Sequence, residues 1–366
     1  MFITQNVSTI RLQFSNAFGG SDLPITAVTV ALPTNGSAGA SGIDTKTLQP
    51  VTFSGSPSFI VPNGAVVFSD PLNITVAAEQ ILAVTMYLET GQTTNFITGH
   101  PGSRTTSHMA PGNLVDAADI AASDAAKSTD HWYFLTGIEA WLPASKSSLI
   151  IVGDSITDGR GSTTNGNDRW PDQLVTRLQA GGSGTSGVAV VNEAAGGNRI
   201  LADGLGPNAL GRIDRDVIAQ SAARYVIIYE GVNDIGTAAA TTEAQTAVSD
   251  RVIAALDQMV LRLHRFGIAV FGATITPCSG PDQAYGEPAI EAARLRINEW
   301  IRTSGRFDAV VDFDAAVRDP ANATQLDPKY NSGDYLHLNP EGYKVMAETV
   351  DLKLFTDFAT GVSSFL

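Results

Sequence analysis

A serine at the end of an apolar run is the first residue of the chain that could carry out covalent chemistry. Ser155 follows Gly153 and Asp154, directly after the apolar run at residues 149–152. A serine placed where a buried strand gives way to a turn projects its hydroxyl at the rim of a sheet and can act as a nucleophile. The alternative is an ordinary helix-capping or turn serine. Thr157 occupies the place of the second glycine in the Gly-X-Ser-X-Gly elbow of α/β-hydrolases, so a nucleophilic Ser155 belongs to a different constellation.

The base that such a serine requires is available near the C-terminus. His337, one of five histidines, follows Asp334 by three residues. A carboxylate this close can accept a hydrogen bond from the imidazole Nδ1–H, which selects the tautomer and stabilises the imidazolium that forms when His337 takes the serine proton. Two alternatives remain open: a turn-capping aspartate beside an unrelated histidine, or half of a metal site. No second histidine or carboxylate stands at helical ligand spacing, so metal binding is disfavoured.

Donors for a negatively charged intermediate could follow the next two apolar runs. Gly197 comes after the second run, and a glycine allows a backbone N–H to approach a ligand closely. Asn233 comes after the third run and offers a side-chain amide donor. One such donor contributes roughly 3–4 kcal/mol to transition-state stabilisation. Gly196 or Asn198 could replace Gly197 if the register differs by one, and glycine pairs or Asn-Asp after strands are commonly plain turns.

The spacing of apolar residues changes near residue 145. The pattern beyond that point predicts the elements that would position these side chains. Continuous β-branched runs, typical of parallel strands buried on both faces, occupy residues 149–152, 188–191, 225–229, 268–275 and 309–313. Amphipathic helical segments alternate with them, at residues 169–180, 210–221, 242–266, 287–302 and 340–354. The alternation predicts a doubly wound α/β domain over residues 146–366. Its first three strands end at the motifs, where such folds collect their chemistry.

Residues 1–145 have the period of an antiparallel β domain instead. Runs that alternate apolar and polar residues occupy residues 9–14, 25–30, 65–68 and 81–88, and an aromatic run spans residues 131–141. Many short strands without helical patterning predict a β-sandwich or jelly-roll accessory domain. The segment 142–148 is the predicted linker.

Together the motifs resemble the four signature blocks of the SGNH (GDSL) hydrolase superfamily. The blocks are Gly153-Asp-Ser-Ile-Thr, Gly197 after the second strand, Gly231-Val-Asn-Asp and Asp334-Tyr-Leu-His, in the family's order within residues 148–357. The resemblance implies a flavodoxin-like three-layer α/β/α domain with a parallel sheet. A β-rich module in front of such a domain is similar to the secreted two-domain GDSL-like lipases and acylhydrolases of fungi and actinobacteria.

The resemblance also implies roles for the motif residues. Ser155 would be the nucleophile, His337 the general base, and Asp334 the residue that orients the base. The oxyanion hole would combine the backbone N–H groups of Ser155 and Gly197 with the side-chain amide of Asn233. Chemistry of this kind needs no metal and no organic cofactor.

Composition and charge bear on partners and compartment. With 43% hydrophobic and 16% charged residues the chain is globular, and no apolar stretch approaches the ~20 residues of a transmembrane helix. The formal net charge is −14 and both predicted domains are acidic, which disfavours nucleic acid and anionic lipid as partners. The single cysteine, Cys278, excludes an intramolecular disulfide. We expect an exported glycoprotein because N-glycosylation sequons occur at Asn6, Asn35, Asn73 and Asn322.

The sequence as a whole predicts a monomeric serine carboxylic-ester hydrolase that acts through an acyl-enzyme. The motifs lack a neighbouring Leu/Phe-rich loop, which favours short-chain acyl or O-acetyl esters, including those of polysaccharides, over long-chain lipids. Two alternatives stay open. One is an acyltransferase that uses the same triad, and the other is a glycan-binding protein whose hydrolase domain is vestigial.

Overall fold

The computed structural model describes residues 1–363, which divide into two compact units. The first unit comprises Met1–Pro143 together with the short segment Thr164–Asn167. The second comprises Ala144–Thr163 and the chain from Asp168 onward. All of the site residues predicted from the sequence, from Ser155 to His337, therefore belong to the second unit.

The strands of the first unit pair antiparallel. Their bounds are β1 Val7–Ser15, β2 Leu23–Ile25, β3 Ala27–Ala31, β4 Gln49–Val51, β5 Phe59–Val61, β6 Val66–Phe68, β7 Leu72–Val76, β8 Ala83–Tyr87, β9 Gly99–His100, β10 Ser107–Met109, β11 Lys127–Thr129, β12 Trp132–Tyr133 and β13 Leu135–Ala140. Strand β1 pairs with β13, β6 and β7, while β3 lies between β4 and β8 and β2 pairs with β5. Short 3₁₀ helices occupy Thr45–Thr47 and Ile120–Ala122.

One apolar core joins the main sheets of this unit. Leu12 of β1, Leu23 of β2 and Val28 of β3 belong to the same buried cluster. The expected antiparallel β domain is thereby confirmed, but two predicted strands are each divided. The run 25–30 contains the end of β2 and most of β3, and the run 131–141 breaks at Phe134. Phe134 has a positive φ of 63° and its side chain is buried in the core cluster, so the backbone kink serves packing.

The second unit alternates strands with helices. Its strands are β14 Ser147–Gly153, β15 Val188–Asn192, β16 Ala223–Tyr229, β17 Ala269–Ala273 and β18 Ala309–Val311. Its helices are α1 Ser155–Asp158, α2 Trp170–Ala180, α3 Ala209–Ile213, α4 Val232–Thr237, α5 Thr242–His264, α6 Pro288–Thr303, α7 Phe313–Val317, α8 Pro340–Thr349 and α9 Leu354–Asp357. A 3₁₀ turn spans Gly182–Gly184 and a π-helical turn spans Asp214–Ile218. Within residues 1–363 no helix has both the length and the apolar character needed to cross a membrane.

The five strands of this unit form one parallel sheet in the order β15-β14-β16-β17-β18. In chain order this is 2-1-3-4-5, the flavodoxin-like arrangement, which confirms the predicted fold. Every residue of β14, which lies between β15 and β16, is buried, as its continuous apolar run requires. Helix α8 packs against α2 and α7, and α5 packs against α3, α4 and α6, which gives the two helical layers.

Three predicted elements of the second unit end earlier than their sequence period suggests. The helix expected at 210–221 leaves the α-helical path after Ile213, where Arg212 and Asp216 form a buried ion pair of 2.7 Å in place of an apolar stripe. The fifth strand ends at Val311 because Asp312 caps α7 by accepting the N–H of Ala315. The last predicted helix, 340–354, is interrupted after residue 349 and resumes as α9.

Candidate active site

Ser155 stands just beyond the carboxyl end of β14, the first strand of the parallel sheet in chain order. Strand β14 ends at Gly153, and Asp154 then adopts an extended conformation and caps α1. Its Oδ1 accepts the N–H of Ile156 at 2.9 Å. Ser155 is therefore the first residue of the helix, where a backbone N–H has no intrahelical acceptor. Within residues 1–363 this N–H donates no hydrogen bond, so it is free to meet a ligand.

The structure brings Ser155, His337 and Asp334 into one chain of hydrogen bonds. Ser155 Oγ lies 2.7 Å from His337 Nε2. The other ring nitrogen, Nδ1, lies 2.6 Å from Asp334 Oδ2. Asp334 Oδ1 also accepts the backbone N–H groups of Leu336 at 3.1 Å and His337 at 2.8 Å. The carboxylate therefore holds both the ring and the backbone of the histidine that follows it.

The electrostatics of this chain favour an anionic Asp334. Partial burial by itself would raise the pKa of its carboxyl group. Hydrogen bonds from the side chain and backbone of His337 outweigh this and place the pKa well below its ordinary value. The Arg160 Nε atom lies 3.9 Å from Asp334 Oδ2, and the His337 side chain is almost wholly buried. An ionised Asp334 can accept the Nδ1–H of His337, which leaves Nε2 as the atom that accepts the proton of Ser155 Oγ.

The turn after β15 leaves one backbone donor unpaired. Gly196 donates its N–H to Asp158 Oδ2 at 3.1 Å, and Asn198 donates its N–H to the Ala195 carbonyl at 3.0 Å. Gly197 has a φ of +72° at the third position of this turn, a conformation that glycine adopts without strain. Among the described residues its N–H has no acceptor. Of the three residues that the sequence left open at this point, only Gly197 can offer its N–H to a ligand.

Asn233 is held in place by both ends of its amide group. It lies in α4, directly after β16, and is buried. Its Nδ2 donates to the Asn198 carbonyl at 2.9 Å, and its Oδ1 accepts the hydroxyl of Tyr285 at 3.1 Å. The second hydrogen on Nδ2 remains available as a donor.

Backbone hydrogen bonds tie the three strand ends together. The Ala195 N–H donates to the Gly153 carbonyl at 3.0 Å, which joins the turn after β15 to the turn after β14. The Ile200 N–H donates to Asp234 Oδ2 at 2.8 Å, which joins the same turn to α4. The predicted donors therefore share one edge of the sheet with Ser155.

Buried carboxyl groups lie beneath this edge. Burial is the main cause that raises the pKa of Asp154, to about 7, and the nearby carboxyl group of Asp234 adds to the effect. Burial likewise raises the pKa of Glu230 well above its ordinary value. The Glu230 oxygens accept no hydrogen bond from any residue that the structure describes, although Arg212 Nη2 lies 3.5 Å away. A raised pKa reduces the negative charge that these carboxyl groups place near a developing oxyanion.

Trp170 and Cys278 are buried residues with structural contacts. Trp170 is fully buried and donates its Nε1–H to Thr157 Oγ1 at 3.1 Å, so it packs in the interior of the second unit. Cys278 is buried, and burial raises the pKa of its thiol to about 12, which makes it a poor nucleophile. No group of three potential metal ligands occurs in the described part of the chain.

Tyr285 was not found by sequence reasoning. The only sequence signal for it is its position in the segment that follows the carboxyl end of β17, on the same edge as the other motifs. A tyrosine in such a loop carries no recognisable spacing to Asn233, because 51 residues separate the two positions.

The chain is similar to several solved structures over part of its length. A GDSL-like lipase from Bacteroides thetaiotaomicron VPI-5482 aligns at 20% identity with a TM-score of 0.41, over 60% of this chain and 92% of that chain. The lipase/acylhydrolase from Enterococcus faecalis aligns at 17% identity with a TM-score of 0.43, over 58% of this chain and 96% of that chain. An acetylxylan esterase from Geobacillus stearothermophilus aligns at 21% identity with a TM-score of 0.41, over 59% and 96% respectively. No curated protein sequence matches the chain.

The amino-acid sequence also matches a protein family. The family described as GDSL-like Lipase/Acylhydrolase matches residues 151–345, which is more than half of the chain. The matched range begins within β14 and ends within α8, so it contains the whole of the site described above. The chain belongs to the GDSL-like lipase/acylhydrolase family and is a carboxylic ester hydrolase.

Proposed function

We propose that the protein hydrolyses short-chain acyl or O-acetyl esters through an acyl-enzyme on Ser155. The observation that carries the proposal is the continuous hydrogen-bond chain from Ser155 Oγ to His337 Nε2, at 2.7 Å, and from His337 Nδ1 to Asp334 Oδ2, at 2.6 Å. A serine hydroxyl in this setting can lose its proton to the imidazole as it attacks a carbonyl carbon.

In the first half of the reaction, Ser155 Oγ attacks the ester carbonyl and His337 Nε2 takes the hydroxyl proton. The carbonyl oxygen becomes negatively charged, and the free N–H groups of Ser155 and Gly197 with the Asn233 amide are the donors available to it. The tetrahedral intermediate collapses when His337 gives its proton to the leaving alcohol. The acyl group is then bonded to Ser155.

In the second half, a water molecule replaces the alcohol. His337 takes a proton from the water as its oxygen attacks the acyl carbonyl, and returns that proton to Ser155 Oγ when the carboxylic acid leaves. Throughout, Asp334 remains ionised and keeps the Nδ1–H of the imidazole directed at itself, because its pKa is lowered far below neutrality.

The polar character of the segment after α1 supports a small acyl group and a hydroxyl-rich alcohol. Residues 159–163 read Gly-Arg-Gly-Ser-Thr and contain no large apolar side chain. Leu205 is 83% exposed and lies beside Gly197. A single leucine gives an acetyl or butyryl chain an apolar contact, whereas a long chain requires an extended apolar channel. We therefore propose O-acetyl esters of carbohydrates as the substrate class.

The nucleophile is tested by Ser155→Ala, assayed on p-nitrophenyl acetate. We expect kcat to fall about 10⁶-fold, as in other serine hydrolases that lose the nucleophile. A fluorophosphonate should label the unsubstituted protein once and the variant not at all. Ser148→Ala is the matched control, because Ser148 lies at the other end of the same strand and donates its hydroxyl to a backbone carbonyl. Full turnover by Ser155→Ala, or labelling of a different residue, would refute the mechanism.

The substrate class is tested by a series of p-nitrophenyl esters and by acetylated polysaccharides. We expect kcat/KM to be highest for acetyl or butyryl esters and acetate to be released from acetylated xylan or pectin. A preference for octanoyl or longer esters would contradict the proposed substrate. Product analysis with added sugars or alcohols distinguishes hydrolysis from acyl transfer, since a transferase would yield a new ester.

A further inference from the structure

We infer that Tyr285 is a positioning residue that orients the amide of Asn233 for oxyanion binding. The inference rests on the proposed acyl-enzyme mechanism and adds a residue to it. Tyr285 itself bonds neither Ser155 nor His337 in the structure. It acts through the 3.1 Å hydrogen bond from its hydroxyl to Asn233 Oδ1.

Two hydrogen bonds fix the direction of the Asn233 amide. The Nδ2 of Asn233 donates to the Asn198 carbonyl, while its Oδ1 accepts from Tyr285. A flipped amide would set Oδ1 against the carbonyl oxygen of Asn198, and two acceptors in contact repel each other. With both hydrogen bonds made, the second Nδ2 hydrogen has a single direction. Without the hydroxyl of Tyr285, only one of the two restraints on the amide remains.

The hydrogen bond from Tyr285 also strengthens the Asn233 amide as a hydrogen-bond donor. A hydrogen bond accepted by the oxygen of an amide polarises the group and makes its N–H hydrogens better donors. Burial, together with the nearby carboxyl group of Asp154, raises the pKa of the Tyr285 hydroxyl, so it stays protonated and keeps its role as donor. Tyr285 thus both directs the Asn233 amide and strengthens it.

Space for this contact is provided by the helix that carries the amide. Gly236 stands three residues after Asn233 in α4, and a Cβ atom at this glycine would lie 2.4 Å from both Cε2 and Cζ of the Tyr285 ring. No side chain can occupy position 236 while the ring remains in place. The ring and the glycine therefore form one contact that aligns Tyr285 with α4.

The segment that carries Tyr285 is itself fixed at both ends. Its beginning is held by Asn298, whose Oδ1 accepts the N–H of Ile275 at 2.7 Å. Nearer to Tyr285, Gln283 accepts the Tyr285 N–H through Oε1 at 3.1 Å and donates through Nε2 to the Asp334 carbonyl at 2.5 Å. The same segment thus contacts the oxyanion amide on one side and the backbone of the acid–base pair on the other.

The test is a double-mutant cycle of Tyr285→Phe and Asn233→Ala on p-nitrophenyl acetate. Loss of one oxyanion donor lowers kcat about 10²–10³-fold, so we expect this loss for Asn233→Ala. Tyr285→Phe keeps the ring against Gly236 and removes only the hydroxyl; we expect kcat to fall about tenfold with KM unchanged within about twofold. In the Asn233→Ala background, Tyr285→Phe should change kcat less than about twofold, because the group it positions is gone.

Two further variants separate positioning from general stability. Gly236→Ala should displace the ring and lower kcat about as much as Tyr285→Phe, without adding to it. Tyr225→Phe is the matched control: its hydroxyl donates to the Phe355 carbonyl at 2.7 Å, near the amino end of β16 and away from the site. We expect Tyr225→Phe to lower the melting temperature and to leave kcat within about twofold of the unsubstituted protein.

The outcomes that overturn this inference differ from those that overturn the mechanism. Wild-type kcat in Tyr285→Phe beside a slow Asn233→Ala refutes the positioning role and leaves the mechanism standing. Effects of the two substitutions that multiply in the double variant refute it as well. Undiminished turnover by Ser155→Ala or by Asn233→Ala instead refutes the mechanism on which it rests.

Discussion

The substitution Asp154→Asn should stabilise the second unit at neutral and alkaline pH. Asp154 is 1% exposed, and burial raises its pKa to about 7 against an ordinary value of 3.8. A carboxyl group with a raised pKa binds its proton more tightly in the folded chain than in the unfolded one. The contribution of Asp154 to folding stability is therefore most favourable below about pH 4, falls as the pH rises to about 7, and is level above that.

The magnitude follows from the width of that window. A shift of about 3 pH units at 1.36 kcal/mol per unit gives a loss of about 4 kcal/mol in the free energy of unfolding between pH 4 and pH 8. Asparagine has nearly the same shape, keeps an oxygen that can accept the Ile156 N–H, and has no charge to bury. The stability difference between Asp154→Asn and the unsubstituted protein should therefore move by about 4 kcal/mol in favour of the variant over this range.

The assay is urea unfolding at several pH values between 4 and 8, followed by tryptophan fluorescence. Trp170 is fully buried in the second unit and reports on its unfolding. Asp203→Asn is the control, since hydrogen bonds from the backbone and side chain of Asn208 lower the pKa of the exposed Asp203 below its ordinary value of 3.8. The pH dependence that this substitution removes lies below about pH 4, so the stability difference between Asp203→Asn and the parent should stay nearly constant from pH 4 to pH 8. If the difference for Asp154→Asn stays constant within about 1 kcal/mol across the range, the argument from burial is wrong.

Three other predictions follow from the contacts of single residues. Arg294→Met should cost the second unit about 3–5 kcal/mol in urea unfolding, because it leaves the Glu291 carboxylate without its guanidinium partner and takes one of the guanidinium partners from the buried Asp314; a cost below about 1 kcal/mol would contradict this. Gly161→Ala should lower both the melting temperature and kcat, since its φ is +92° and a Cβ would lie 2.3 Å from the Leu338 carbonyl oxygen, directly after His337. Gly305→Ala is its control, with a φ of +65° but open space around the position, and should leave kcat unchanged. We also propose export of the protein with N-linked glycans, because the asparagines of all four sequons are exposed; a natively expressed sample without glycan mass would refute it.

The parallel sheet and the Asp334–His337 pair could be predicted because each depends on information that is local in the chain. Strand β14 is buried on both faces, so its apolar run is continuous and easily recognised. Asp334 and His337 lie three residues apart, so the carboxylate reaches Nδ1 within a single turn. Parallel strands place their carboxyl ends at one edge, which predicts that Ser155 shares that edge with the donors after β15 and β16.

Interruptions of regular elements were less predictable. The break at Phe134 depends on a side chain that turns into the core of the first unit, and no neighbouring residue indicates a positive φ there. The early end of α3 depends on Arg212, a charged residue that is buried only because carboxyl groups from other elements surround it. Sequence period describes what an isolated segment prefers, and both exceptions are imposed by packing.

The amino-acid sequence by itself determined the class of the fold, the place of Ser155 at a strand end and its pairing with His337 and Asp334. Only the tertiary structure decided which backbone N–H of the turn after β15 is free, and that it is Gly197 rather than Gly196 or Asn198. The reason is that a free donor is identified by the hydrogen bonds its neighbours make. Those partners come from elements far along the chain, whose position is known only once the chain has folded.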